Sequence, residues 1–223
     1  MQRRATNSGR SENHDDYHAT FVRRVHQLIE TGYQRMQPVK QYEMWKEEDI
    51  SGELARHVDD VLDSSSAPWM RFYSLAPERH VDEPHLPKKK RRLGKHRKRL
   101  DFRFTCRQRM PVQRFIFEAK RLKQSGTAQL LDEDGLGRIL RGAYAREDSA
   151  AGLLGYVQIA AAAAFATALE NELAVRGADY GVATDGPWTR IIIVHGPDYT
   201  FRTRHRRNNL PDVTIFTTLL PFR

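Results

Sequence analysis

Leu100-Asp-Phe-Arg-Phe-Thr-Cys106, and after it Arg114-Phe-Ile-Phe-Glu-Ala-Lys-Arg-Leu-Lys123, decide the fold of this chain. In the first segment Leu100, Phe102, Phe104 and Cys106 alternate with Asp101, Arg103 and Thr105, the period-two pattern of a half-buried strand. In the second, Phe115, Phe117 and Ala119 alternate with Ile116, Glu118 and Lys120. Residues two apart on a strand share a face, about 6–7 Å from one another. Glu118 and Lys120 therefore project together. The short polar linker Arg107–Gln113 predicts a hairpin, which brings Asp101 alongside Glu118.

Two carboxylates and an ammonium gathered in one small volume suit a hard divalent cation. Mg²⁺ or Mn²⁺ keeps several waters and readily takes a phosphate oxygen, and a lysine beside it orients or deprotonates the attacking water. Asp101 with Glu118-Ala119-Lys120, set on hydrophobic strands, resembles the core motif of the PD-(D/E)xK nuclease superfamily. The resemblance covers about twenty-five residues directly. Leu100 stands where that superfamily loosely keeps a proline. What the resemblance implies is an α/β fold with a restriction-endonuclease-like αβββαβ core. Asp101 and Glu118 would hold the metal and Lys120 would position or activate water. A helix preceding the sheet would add a carboxylate, either Glu48 or Glu53. Family analogy also implies a prokaryotic defence or restriction effector that cuts DNA more than RNA, gated by a protein partner or by self-association.

Composition agrees with a polyanionic partner. The chain has 223 residues, Lys plus Arg outnumber Asp plus Glu by 37 to 28, and the net charge is +9. Length allows a single large domain over 18–223, preceded by a polar tail over 1–17. The run KKKRRLGKHRKR (88–99) feeds straight into the Asp101 strand. Its Lys88, Lys89, Lys90, Arg91, Arg92, Lys95, Arg97 and Lys98 suit phosphate contacts next to the site, with steep salt dependence, or else a nuclear localisation signal. Glu83, just upstream, is an alternative metal-side carboxylate. In Tyr199–Asn209, Arg202, Arg204, Arg206 and Arg207 cluster with Tyr199, Phe201 and His205, a mixture suited to a nucleic-acid backbone and an unpaired base, or to a solvated edge strand.

Around these segments the spacing predicts helices over His18–Met36 and Gln41–Leu62 and a first strand over Trp69–Leu75. Leu130–Tyr144 reads as broken helical turns. Ala150–Leu169 carries no charge and nine alanines in twenty residues, too weakly apolar for a membrane span. It reads instead as the start of a long central helix, Ala150–Arg176, stopped by Gly177. The run IIIV within Trp188–His195 predicts a buried central strand, and Asp212–Leu220 a second. The single cysteine, Cys106, falls on an apolar face and reads as a core residue.

Other chemistries are unsupported. Gly135-x-Gly137 is no phosphate loop, and GxxxxGK[ST], GxSxG, HExxH and CxxC are missing from the chain. The polar opening Met1–Thr20 predicts no secretion, placing the protein in the cytoplasm. The competing expectation is a non-catalytic binding module or regulatory subunit that keeps the fold and the basic surface.

Overall fold

The structure is a computed structural model that describes residues 8–36, 42–80, 99–122, 127–158, 161–196 and 199–222. The chain runs α1 (Ser8–Met36), α2 (Glu47–Ser64), β1 (Tyr73–His80), β2 (Arg99–Cys106), β3 (Gln113–Leu122), α3 (Thr127–Leu131), α4 (Leu136–Leu140), β4 (Ala150–Val157), α5 (Ala162–Arg176), β5 (Thr189–Arg190), β6 (Thr200–Arg207) and β7 (Leu210–Pro221). The class is α/β. Seven strands form one mixed sheet in the order β1-β2-β3-β4-β7-β6-β5. β1, β2 and β3 are antiparallel neighbours, β3, β4 and β7 run parallel, and β6 returns antiparallel beside β7.

The two faces of the sheet carry different covers. Phe102, Phe104, Phe115, Phe117 and Ala119 pack beneath α1 and α2, against Phe21, Val25, Leu28, Leu54 and Val58. Ile116, Leu122, Leu153 and Ile215 face the other way, against α3, α4 and the Phe165, Leu169 and Leu173 side of α5. Burying a large apolar side chain is worth about 1.5–3 kcal/mol. The alternation along β2 and β3 therefore fixes their register, because a one-residue slip would turn the phenylalanines out. Cys106 lies in the first core, as expected, with the Tyr17 hydroxyl 3.6 Å from its sulfur.

Several sequence expectations change. α1 begins at Ser8, inside the expected tail, and α2 begins at Glu47 after a short 3-10 turn at Tyr42–Met44. The first strand is Tyr73–His80 rather than Trp69–Leu75. The long central helix divides in two: Ala150–Val157 is a strand, and only Ala162–Arg176 is helical. Every residue of that strand is buried, since it lies between β3 and β7 with both faces covered. Such a strand shows no alternation, and periodicity cannot separate it from a buried helix. Its glycines are needed by packing: a Cβ on Gly152 would come within 2.0 Å of the Phe117 ring. Gly177 ends α5 with φ −55°, not in the left-handed region. The IIIV run is no central strand. β5 is the two-residue sheet edge before it, and Ile192 is 80% exposed. Among the described residues no helix is long and apolar enough to cross a membrane.

Candidate active site

The β2–β3 hairpin brings the predicted carboxylates together. Phe102 faces Phe117 across the antiparallel ladder, so the next pair outward on the opposite face is Asp101 with Glu118. The Asp101 Oδ2 accepts a hydrogen bond from the Ala119 backbone N–H at 2.7 Å, which ties it to β3. Lys120, two residues beyond Glu118, shares that face, and its Nζ lies 3.0 Å from Glu118 Oε1. Glu118 is only 1% exposed.

The helix carboxylate at this site is Glu47, not Glu48 or Glu53. Glu47 Oε1 accepts from Lys120 Nζ at 3.0 Å, and its Oε2 accepts from the Arg121 backbone N–H at 2.9 Å. It opens the first turn of α2, where the helix dipole favours a negative charge. Glu48 is exposed on the rim of the cleft beside Lys120 without a contact to the carboxylate cluster among the described residues, and Glu53 is bound to Arg56 at 2.6 Å and to His57 at 3.2 Å. Nearby bonds hold Glu47 in place. Arg121 Nη1 donates to the Trp45 carbonyl at 2.9 Å, Gln158 donates to the same carbonyl at 3.1 Å and to that of Tyr42, and Ser51 bonds the Tyr156 hydroxyl at 2.9 Å. The signal for Glu47 was present in the sequence, since it precedes Ile50, Ser51 and Leu54 on the buried stripe of α2.

Arg138, from α4, is the second residue the sequence reading missed. Its Nη1 donates to Glu118 Oε1 at 2.7 Å and its Nη2 to Asp134 at 3.0 Å, with the Tyr144 hydroxyl 3.4 Å away. No local pattern announces it, because β3 and α4 meet only in the folded chain. With Lys120 and Arg138 both on Oε1, Glu118 Oε2 is left buried without a hydrogen-bond partner among the described residues.

The electrostatics follow from that crowding. Burial and the neighbouring Asp101 charge push the Glu118 carboxyl well above the usual range, against the attraction of Lys120 and Arg138. Burial likewise raises Asp101, although the Ala119 N–H partly offsets it. Burial alone would lower Lys120, but Glu118, Glu47 and Asp101 together outweigh it and lift its pKa above the ordinary value. Glu118 and Lys120 thus attract one another while Glu118 still favours its neutral form. The charges account for this: three carboxylates (Glu47, Asp101, Glu118) face two inner cations (Lys120, Arg138). A proton held on Glu118 near neutrality removes the excess, and Lys120 remains an ammonium.

A cleft of about 450 Å³ opens beside Lys120, lined also by Lys46, Glu47, Glu48, Arg121 and Asp132. Asp101 and Glu118 do not line it, and Glu118 is buried. Of the predicted phosphate contacts, Lys88, Lys89, Lys90, Arg91, Arg92, Lys95, Arg97 and Lys98 lie outside the described residues, as does Glu83. Arg202, Arg204 and Arg206 are exposed on one face of β6. That face is the one carrying Phe216, which pairs with Arg202, and it is opposite to the face carrying Asp101 and Glu118. Arg207 is a correction: it is buried and donates to backbone carbonyls, so it offers nothing to a phosphate. Any metal-dependent activity of this site should fall about tenfold or more in Glu47→Ala, which frees Lys120, and change less than twofold in Glu48→Ala and Glu53→Ala in side-by-side assays. Comparison with protein-family models, with curated proteins and with solved structures found no match.

Proposed function

We propose that this chain is a metal-dependent nuclease that hydrolyses phosphodiester bonds, with DNA as the favoured substrate. The observation that carries the reading is the buried Glu118 Oε2, without a hydrogen-bond partner among the described residues, on the strand pair that aligns it with Asp101, with Lys120 Nζ 3.0 Å from the other Glu118 oxygen. An unmet buried carboxylate oxygen is costly, and a cation is the partner that relieves it. The element order α2-β1-β2-β3-α3/α4-β4 agrees with an αβββαβ core.

The residues fit a hard divalent cation. Asp101 and Glu118 would hold Mg²⁺ or Mn²⁺ through oxygen, and one or two protein carboxylates is the number that Mg²⁺ typically takes. When bound, the ion supplies Lewis-acid polarisation of a phosphate oxygen and a lowered pKa for water. Lys120, held as an ammonium by Glu47 and Glu118, has a third N–H with which to donate to a water or to a phosphate oxygen. Its raised pKa makes it an orienting and charge-stabilising group rather than the base. Arg138 fixes Glu118 by one oxygen and leaves the other available. Lys46 and Arg121, on the cleft wall, are placed for the flanking backbone. The basic tract enters β2 directly before Asp101 and would extend that grip.

The test is cleavage of plasmid DNA, single-stranded DNA and RNA with Mg²⁺ or Mn²⁺ by the natural chain, Lys120→Ala and Asp101→Ala. Metal-dependent cutting reduced about a hundredfold or more in both variants is the expected result. If nothing is cut and all three proteins bind nucleic acid equally, with steep salt dependence, the chain is a binding module. That neither carboxylate lines the cleft is the observation that favours that second reading.

A further inference from the structure

The arginines of β6 and the IIIV run find no use in the candidate active site, yet they meet elsewhere. A groove of about 720 Å³ runs between the first half of α1 and the β6–β7 part of the sheet. Arg202 and Phe216, directly paired across β6 and β7, form its floor. Arg23 of α1 stands on one wall, and Ile191, Ile192 and Ile193 form the facing rim. The volume is that of a single small-molecule site.

Charge and apolar surface point to one class of occupant. Arg204 is already matched by Asp185 at 2.7 Å and Asp212 at 3.0 Å. Arg23 and Arg202 form no ion pair among the described residues. Two unmatched guanidinium groups, each a planar fork of donors, suit a dianion with several acceptor oxygens. A phosphate monoester carries about −1.5 to −2 charges at pH 7. The rim is the other half of the recognition: three consecutive isoleucines at a surface, one of them 80% exposed, gain from a flat apolar body laid over them. We propose that this groove binds a nucleoside monophosphate, with its phosphate between Arg23 and Arg202 and its base over the isoleucine rim and the Phe216 ring. The site is separate from the candidate active site. It lies on the other face of the sheet, against residues 149–150 and 214–216, toward the starts of the parallel strands whose later residues flank Glu118.

Calorimetric titration of the full chain with AMP, GMP, CMP and UMP, with the matching nucleosides and with inorganic phosphate tests this. The expected result is that at least one monophosphate binds at least tenfold more tightly than its nucleoside or phosphate alone, because each of these lacks half of the recognition. Arg202→Glu and Arg23→Glu, both at exposed positions, should each weaken it tenfold or more with unchanged circular dichroism, and Lys120→Ala should bind like the natural chain. Three results would overturn the proposal: no monophosphate binding below about 1 mM, weakening by Lys120→Ala instead of by the arginine variants, or equal binding of decyl phosphate. Because Lys120→Ala reports on cleavage and the arginine variants on the groove, the two readings fail independently.

Discussion

Replacing Glu118 by Gln is expected to leave no detectable metal-dependent cleavage and at the same time to make the protein more stable at neutral and alkaline pH. The loss follows from removing one of the two carboxylates that would hold the cation. The gain follows from linkage. Burial and the Asp101 charge raise the folded-state pKa of Glu118 from 4.5 to about 8. A carboxyl whose pKa is raised on folding takes up a proton between the two values, so its favourable contribution is present below the unfolded pKa and is lost as pH rises through the folded one. At pH 7 the cost is of the order of 3 kcal/mol, from about 1.4 kcal/mol per pH unit above the unfolded pKa. Gln keeps the shape, still accepts from Lys120 and Arg138, and leaves two carboxylates opposite two cations. In a chain of this size that corresponds to a melting temperature raised by about 6–10 °C. The measurement is thermal unfolding of both proteins from pH 5 to pH 8 without divalent ions and then with Mg²⁺. The difference should be small at pH 5 and grow toward pH 8, and Mg²⁺ should stabilise the natural chain alone. Equal pH profiles, or a less stable variant at pH 8, would mean that Glu118 is an ordinary structural ion pair.

The same hairpin shows what was legible in the sequence. Alternation in Leu100–Cys106 and Phe115–Lys120 was enough to align Asp101 with Glu118 and Lys120, because strand parity and a short linker are local facts. Parity also separates the arginines of β6: Arg202, Arg204 and Arg206 occupy even positions facing outward, while Arg207 is odd and turns in. Helical spacing likewise places Glu47, rather than Glu48 or Glu53, with Ile50 and Leu54. Three features had no local signature. β4 is buried on both faces, so Ala150–Val157 read as helix. The IIIV run is as apolar as a central strand but follows the sheet edge. Arg138 reaches Glu118 only through the chain's return in α4. Local pattern therefore carries the hairpin, its acids, Lys120 and the spacing that picks out Glu47, and tertiary packing alone brings Arg138 to the cluster.

Arg207→Ala should cost about 3–5 kcal/mol of stability, a fall in melting temperature of about 10 °C or more, while Arg206→Ala changes stability by less than about 0.5 kcal/mol. Arg207 Nε donates to the Pro211 carbonyl at 2.5 Å, Nη1 to those of Ala145 at 2.7 Å and Ile139 at 3.4 Å, and Nη2 to those of Asp148 at 3.2 Å and Arg146 at 3.3 Å. One guanidinium thus satisfies five buried or half-buried carbonyls and ties the 139–148 turn, with Ala145 held at φ 48°, to the β6–β7 hairpin. Alanine removes every donor at once and leaves those oxygens to compete for whatever water can enter. Lysine, with three donors on one atom, cannot span them and should recover less than half of the loss. The 139–148 turn follows directly from α4, so loosening it should also free Arg138 and weaken its hold on Glu118. Thermal unfolding together with nucleic-acid titration separates the roles: Arg207→Ala melting like the natural chain but binding nucleic acid more weakly would return Arg207 to the phosphate contacts, whereas a large loss of stability with unchanged affinity below the transition assigns it to the scaffold.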